Sequence, residues 1–433
     1  MSKIDSPPAS NRLMSLDALR GFDMFWIIGA DSLVYALNRM SQNPGTKFLA
    51  DQLDHAEWAG FRFYDLIFPL FLFMVGASIV FSLNKIIAER GRAGAVGRVI
   101  KRGVLLFAVG LFYSGGLTNP WPDLRLMGVL NRIALAYLFT GLLFCYFKPR
   151  TLAAICGGLL LGYWAMLTFI PIRDIQLEKD QLAVLAERSG DLNLAAEFRK
   201  AGNGSSVNPS AIKDSPVWAA TEKMYEATTN RVSGRFGMGY NLACHFDFRH
   251  LPGKKYDLFW DPEGILSTLP AVATCLLGVF AGLVLQNSNN SNHRKLALLF
   301  GVGVACVALG WLWDLQFPVI KKIWTSSYVL VAGGYSALLL GAFYLIVDVW
   351  KYQAWCQPFV WMGMNSITIY LVKNFLGGSF SRLSARLVGG DIKNWLDAHV
   401  ARGFGDLMIS VVGLTLAFWF VRFLYKRKIF LRI

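Results

Sequence analysis

The sequence predicts an all-α, polytopic membrane helix bundle of about ten transmembrane helices, with a large extracytoplasmic loop after the fifth. Three observations carry this. Hydrophobic residues make up 55% of the 433 residues and charged residues 16%, with a mean hydropathy of +0.42, which is too apolar for a soluble enzyme of that length. The apolar residues fall in stretches of about 20, the length that crosses roughly 30 Å of hydrocarbon. Stretches such as LIFPLFLFMVG and LALLFGVGVACVALGWLW are apolar on every face, which excludes the alternating pattern of a membrane β-strand.

The spans fall near 18–38, 61–84, 102–118, 129–147, 151–171, 264–285, 296–315, 326–349, 358–378 and 405–424. The polar leader before the first has no apolar core of a signal peptide, so that span is expected to be an uncleaved anchor. Segment 84–102 holds six basic residues against one acid, and FKPRT, NHRK and the tail YKRKIFLRI are basic too. By the positive-inside rule these segments and both termini are cytoplasmic. The loop around His55, the 172–263 segment, FPVIKKIWTS and 379–404 then face outward. Segment 172–263 is too long for a connector and reads as an extracytoplasmic lid, helical in its first half and turn-rich in its second. With no internal repeat, residues 1–433 read as one membrane domain, and a bacterial inner membrane is the expected location.

The net charge of +15 is concentrated between spans, where it sets orientation, so the expected partner is membrane lipid rather than nucleic acid. The six cysteines form no CxxC pair, and neither a metal-spaced cluster nor a Walker, GxSxG or HExxH motif is present. The informative residues are polar groups inside apolar spans, each of which needs a partner or a wet cavity. Asp17 and Arg20, and Arg62 and Asp65, stand three residues apart and read as local pairs. Asp31, Arg132, Asn365 and Lys373 are expected to line a polar chamber between helices. His55, flanked by Asp54 and Glu57 just outside the second span, has the chemistry of a general base at neutral pH. These residues alone leave a membrane enzyme and a sugar or ion transporter, with Asp31, Arg62 and Asp65 as a translocation site, equally open.

Five stretches, RLMSLDALRGFDM, HAEWAGFRFYDLIFPLFLFMVGASI, DPEGILSTLPAVATCLLGVFAG, KKIWTSSYVLVAGG and GMNSITIYL, together resemble the heparan-α-glucosaminide N-acetyltransferase family of the transmembrane acyltransferase superfamily. The resemblance implies transfer of acetyl from cytoplasmic acetyl-CoA to the amino group of a glucosamine-type sugar across the membrane, without a metal, by a protein that forms a dimer. It places the catalytic histidine at His55, as base or acetyl-carrying nucleophile. Asp31 stands where the wider superfamily often has a histidine, and is assigned as orienter or amine binder. Arg20, Lys101, Arg102 and Arg132 are the candidates for the CoA phosphates, and Asn365 for the thioester oxygen.

Overall fold

The computed structural model describes residues 13–118, 120, 123–201, 216–375 and 380–431. They are almost wholly helical, and the one sheet among them pairs Ile172–Arg173 antiparallel with Arg231–Val232. Seven helices are long and apolar enough to cross a membrane: Phe63–Tyr113, Val129–Tyr146, Pro149–Phe169, Thr268–Gln286, Asn292–Asp314, Ser326–Val349 and Phe404–Lys426. Eight of the ten expected spans fall on these, because the first carries two of them.

That first helix has 51 residues, which laid straight is about 77 Å, more than twice the hydrocarbon thickness. It breaks at Gly91, where φ is 71°, a conformation that only glycine adopts at no steric cost. Ile67 and Tyr113 line the same cavity, so the two arms fold back on each other there. The basic 84–102 segment, expected as a loop, is therefore helical up to its turn. It is rich in Ile, Ala, Arg and Lys and lacks proline, so nothing but the glycine interrupts it.

The other two expected spans lie on broken helices. Met14–Phe25 passes through a π-turn, Trp26–Ala30, into Asp31–Ser41, with Gly29 at φ 132°. Lys373 donates to the Ile27 carbonyl in that turn at 2.5 Å. Gln357–Met364 and Ser366–Phe375 are separated at Asn365.

Small residues set the central crossings, as expected where packing rather than water exclusion drives association. A Cβ at Gly76 would lie 1.8 Å from the Cys275 carbonyl oxygen, and one at Gly278 1.9 Å from that of Phe73. Gly21 and Gly363 bring Met14–Phe25 and Gln357–Met364 equally close.

Segment 172–263 builds its own apolar core. Lys179–Arg188 and Leu192–Lys200 match the helical first half, but Pro216–Ala227 and Leu242–His250 make the second half helical as well. Leu182, Phe198, Phe248 and Trp260 pack with Phe317, Ile320 and Ile323, which precede the Ser326 helix. Trp58 donates from Nε1 to the Phe236 carbonyl at 2.7 Å, and Ala59 bridges to Ile320. The His55 loop, the 172–263 segment and residues 317–323 thus meet at one end of the bundle.

Candidate functional site

His55 is held by the start of the helix behind it. Asp65 lies in the first turn of Phe63–Tyr113, where a carboxylate satisfies free backbone donors. Its Oδ2 accepts from the N–H groups of Arg62 (3.0 Å) and Ala56 (3.1 Å). This ties the loop to the helix and leaves Oδ1 facing His55 Nδ1 at 2.9 Å. Asp65 has no exposed side-chain surface and His55 is 49% exposed. In the tautomer whose Nδ1–H donates to the buried carboxylate, Nε2 keeps its lone pair for chemistry.

Lys321 completes the cluster. Its Nζ lies 3.4 Å from Asp65 Oδ1, 2.9 Å from His55 Nδ1 and 3.3 Å from Nε2. Burial pulls the Lys321 ammonium below the ordinary lysine range, and Asp65 opposes that pull. On the far side, the Tyr64 ring centre is 4.9 Å from that of His55, and its hydroxyl donates to Asp31 Oδ2 at 3.3 Å. Asp31 therefore reaches His55 through Tyr64.

A cavity of about 500 Å³ runs from this cluster into the bundle. On one helix its wall includes both Tyr64 and Ser82. The 18 helical steps between them cover about 27 Å, close to the hydrocarbon thickness, so the cavity is elongated along the bundle like a tunnel. Its middle is apolar, with Ile67, Phe71, Val75, Leu106 and Ile133. Its far end is basic: Arg20 donates to Ser78 Oγ at 2.6 Å and pairs with Asp17 at 3.3 Å. Beside it Arg102 sits over the Tyr137 ring at 4.8 Å, with its buried Nε unpartnered among the described residues.

A second cavity, of about 480 Å³, is also lined by His55. Glu57, Glu178, Asp180, Asp257, Lys322 and Trp260 line it, so the 172–263 segment supplies most of its polar groups. His55 belongs to both cavities, whereas the neighbouring lysines diverge, Lys321 to the tunnel and Lys322 to the groove. Glu263 joins the tunnel wall. Arg125 holds it at 2.6 Å and grips Asp261 through two bonds of 2.7 and 2.8 Å. Burial and the Asp261 charge push the Glu263 carboxyl up, while Arg125 draws it down.

Of the residues expected from sequence, His55, Arg20, Arg102 and Lys373 line the tunnel, and Asp31 lies one contact behind. Lys101 is exposed and outside the wall. Arg132 is fully buried, stacks over Trp324 at 4.8 Å and bonds to the Pro262 carbonyl (2.9 Å) and Ser267 Oγ. It braces the loop that carries Glu263. Asn365 donates to the Trp361 carbonyl at 3.3 Å, its Oδ1 is unpartnered among the described residues, and its neighbour Ser366 faces the tunnel. The Arg62 guanidinium turns to the His55 carbonyl (3.2 Å) and to Asp54 (3.9 Å), and only its backbone meets Asp65. Sequence reasoning missed Asp65 as the histidine's partner, and Lys321 and Glu263 altogether. Each sits near the start of a string quoted above, DLIFP, KKIWTS and DPEGI, where a charge beside an apolar run was the available signal.

Fold and site together define a polytopic membrane protein with a polar-ended tunnel that stops at a His–Asp–Lys cluster. Residues 12–151 match a family described as a domain of unknown function, DUF5009. The chain is 26% identical over 455 residues to the heparan-alpha-glucosaminide N-acetyltransferase of Mus musculus and 27% identical over 392 residues to that of Homo sapiens. The alignments cover 98% and 85% of this chain, but the chain spans only 61% and 54% of the length of these relatives. Over most of its length the chain is thus similar, at low identity, to proteins named heparan-alpha-glucosaminide N-acetyltransferase, the family its motifs resemble.

Proposed function

We propose that this chain is a transmembrane N-acetyltransferase that moves acetyl from cytoplasmic acetyl-CoA to the amino group of a glucosamine-type sugar on the outer side. Both termini are cytoplasmic, ten spans cross the membrane, and the 172–263 segment is an outer lid. The observation that carries the reading is that His55 lines both the tunnel and the outer groove. CoA phosphates pair with Arg20 and Arg102, as a guanidinium suits, and the pantetheine arm follows the apolar middle of the tunnel until the thioester reaches His55. The acceptor occupies the groove, where Glu57, Glu178 and Asp180 attract its ammonium form.

Acyl transfer to an amine needs a base for the amine's proton and a partner for the oxyanion. His55 Nε2 takes that proton while Asp65 fixes the ring and balances the imidazolium. Because donor and acceptor occupy two separate cavities that both reach His55, both can be bound at once, which favours direct transfer over an acetyl-histidine intermediate. The test is to incubate purified protein with radiolabelled acetyl-CoA and glucosamine. The expected product is N-acetylglucosamine, with initial-rate lines that intersect. No acetylated amine, together with sugar uptake into proteoliposomes lacking acetyl-CoA, would establish the transporter reading instead.

A further inference from the structure

We infer that Lys321 is a second catalytic residue, the acid that protonates the departing thiolate of the acyl donor. The inference rests on the acetyltransferase reading and adds to it a division of labour between two proton carriers. His55 touches both cavities and Lys321 only the tunnel. In that reading the nitrogen that loses a proton lies on the groove side and the sulfur that needs one lies on the tunnel side. An imidazole nitrogen engaged with the amine on the groove side is poorly placed for the second task, whereas the Lys321 ammonium has three donors and lines the donor chamber.

The charges favour the same assignment. His55 and Lys321 share one carboxylate, Asp65, at 2.9 and 3.4 Å, so the cluster is neutral with one proton on the lysine and a neutral imidazole. When His55 accepts a proton, two cations stand 2.9 Å apart at closest approach against one anion, which favours loss of a proton from Lys321. Burial already eases that loss.

The step balances. The acceptor first releases its ammonium proton to bulk water through the groove; the free amine nitrogen then bonds to the acetyl carbon, and the proton it sheds passes to His55 Nε2. The carbon–sulfur bond breaks, and sulfur takes a proton from Lys321 Nζ. His55 then returns its proton to Lys321 across the 3.3 Å gap. The net change is amine plus thioester to amide plus thiol.

The test compares Lys321→Met and Lys321→Arg with wild type on two donors. A thiol of the cysteine type has a pKa of about 8.5, so acetyl-CoA needs an acid at its sulfur, whereas the arylthiolate of S-(4-nitrophenyl) thioacetate leaves unprotonated. Both variants are expected to lose about 100-fold or more in kcat with acetyl-CoA, with KM changed less than about threefold, and to lose less than about fivefold on the aryl thioester. Arginine keeps the charge but cannot give up a proton, so recovery in Lys321→Arg would reduce Lys321 to a positioning charge and overturn the proposal. Equal losses on both donors would overturn it too. Wild-type protein that transfers no acetyl from acetyl-CoA would overturn the acetyltransferase reading and this proposal together, whereas an active wild type with an unimpaired Lys321→Met overturns this proposal alone.

Discussion

Replacing Asp65 by asparagine removes one charge from a side chain with no exposed surface and sets a donor among donors. Asp65 accepts four contacts, two on each oxygen: His55 Nδ1 and Lys321 on Oδ1, and the N–H groups of Ala56 and Arg62 on Oδ2. An amide keeps only one accepting oxygen. If that oxygen stays with the backbone pair, which fixes the loop, the NH₂ faces His55, and Nδ1 must become the acceptor. Nε2 then carries the hydrogen and cannot take one from the amine. Two charge-assisted contacts are lost, each worth about 1.5–3 kcal/mol, so the transition state loses about 3–6 kcal/mol, or two to four decades at ~1.4 kcal/mol each. The assay is radiochemical acetyl transfer at saturating acetyl-CoA, with thermal unfolding in the presence of CoA as the control for folding. Folded Asp65→Asn protein is expected to show kcat lowered 100- to 10,000-fold and a nearly unchanged KM for acetyl-CoA, because the phosphate end of the tunnel is about 27 Å away. A kcat within threefold of wild type would refute the assignment of Asp65 as the group that orients His55.

His55→Ala should abolish transfer yet keep thermal stabilisation by CoA, because a half-exposed loop side chain adds little to the core; detectable turnover at neutral pH would remove the histidine from the mechanism. Arg102→Ala should raise KM for acetyl-CoA about 10- to 100-fold through loss of a charge-assisted contact, whereas Lys101→Ala, on an exposed neighbour, should leave it unchanged; steady-state kinetics on the pair separates cavity geometry from bulk charge. Burial and nearby Asp261 push the Asp247 carboxyl up from 3.8 to about 7 despite the Ile265 N–H it accepts. Its folded pKa exceeds its unfolded one, so the native state binds the extra proton between pH 4 and 7, and stability falls as pH rises through that window. Asp247→Asn should therefore gain on wild type from pH 5 to pH 8, by a few kcal/mol at most, and parallel melting curves across that range would contradict it.

Much of the bundle was legible in the sequence because a bilayer imposes a length and an apolar composition that single segments satisfy by themselves. The chamber was legible for the same reason, since charges inside apolar runs require company. Which company they keep was not. Arg62 and Asp65 were paired by helical spacing, but Arg62 lies outside the helix, with extended backbone (φ −118°, ψ 166°), so its side chain does not share a face with Asp65. The carboxylate turns instead to a histidine ten residues back and a lysine 256 residues on. Asp31 follows the π-turn, which rotates the helix faces, so counting by 3.6 residues from Arg20 misplaces it. The helices in the second half of the 172–263 segment were hidden because their buried residues pack on Trp260, Phe317 and Ile320, partners far away in sequence.

A histidine shared by a tunnel and a groove is also a partition. Where a passage about as long as the bilayer is thick opens toward one compartment and is stopped at the other end by a handful of side chains, those side chains hold back ions as well as perform chemistry. In the proposed orientation the His55–Asp65–Lys321 cluster would also hold the membrane potential across that passage. A His55→Gly protein in sealed vesicles is expected to dissipate an imposed pH gradient faster than wild type, read with an entrapped pH-sensitive dye.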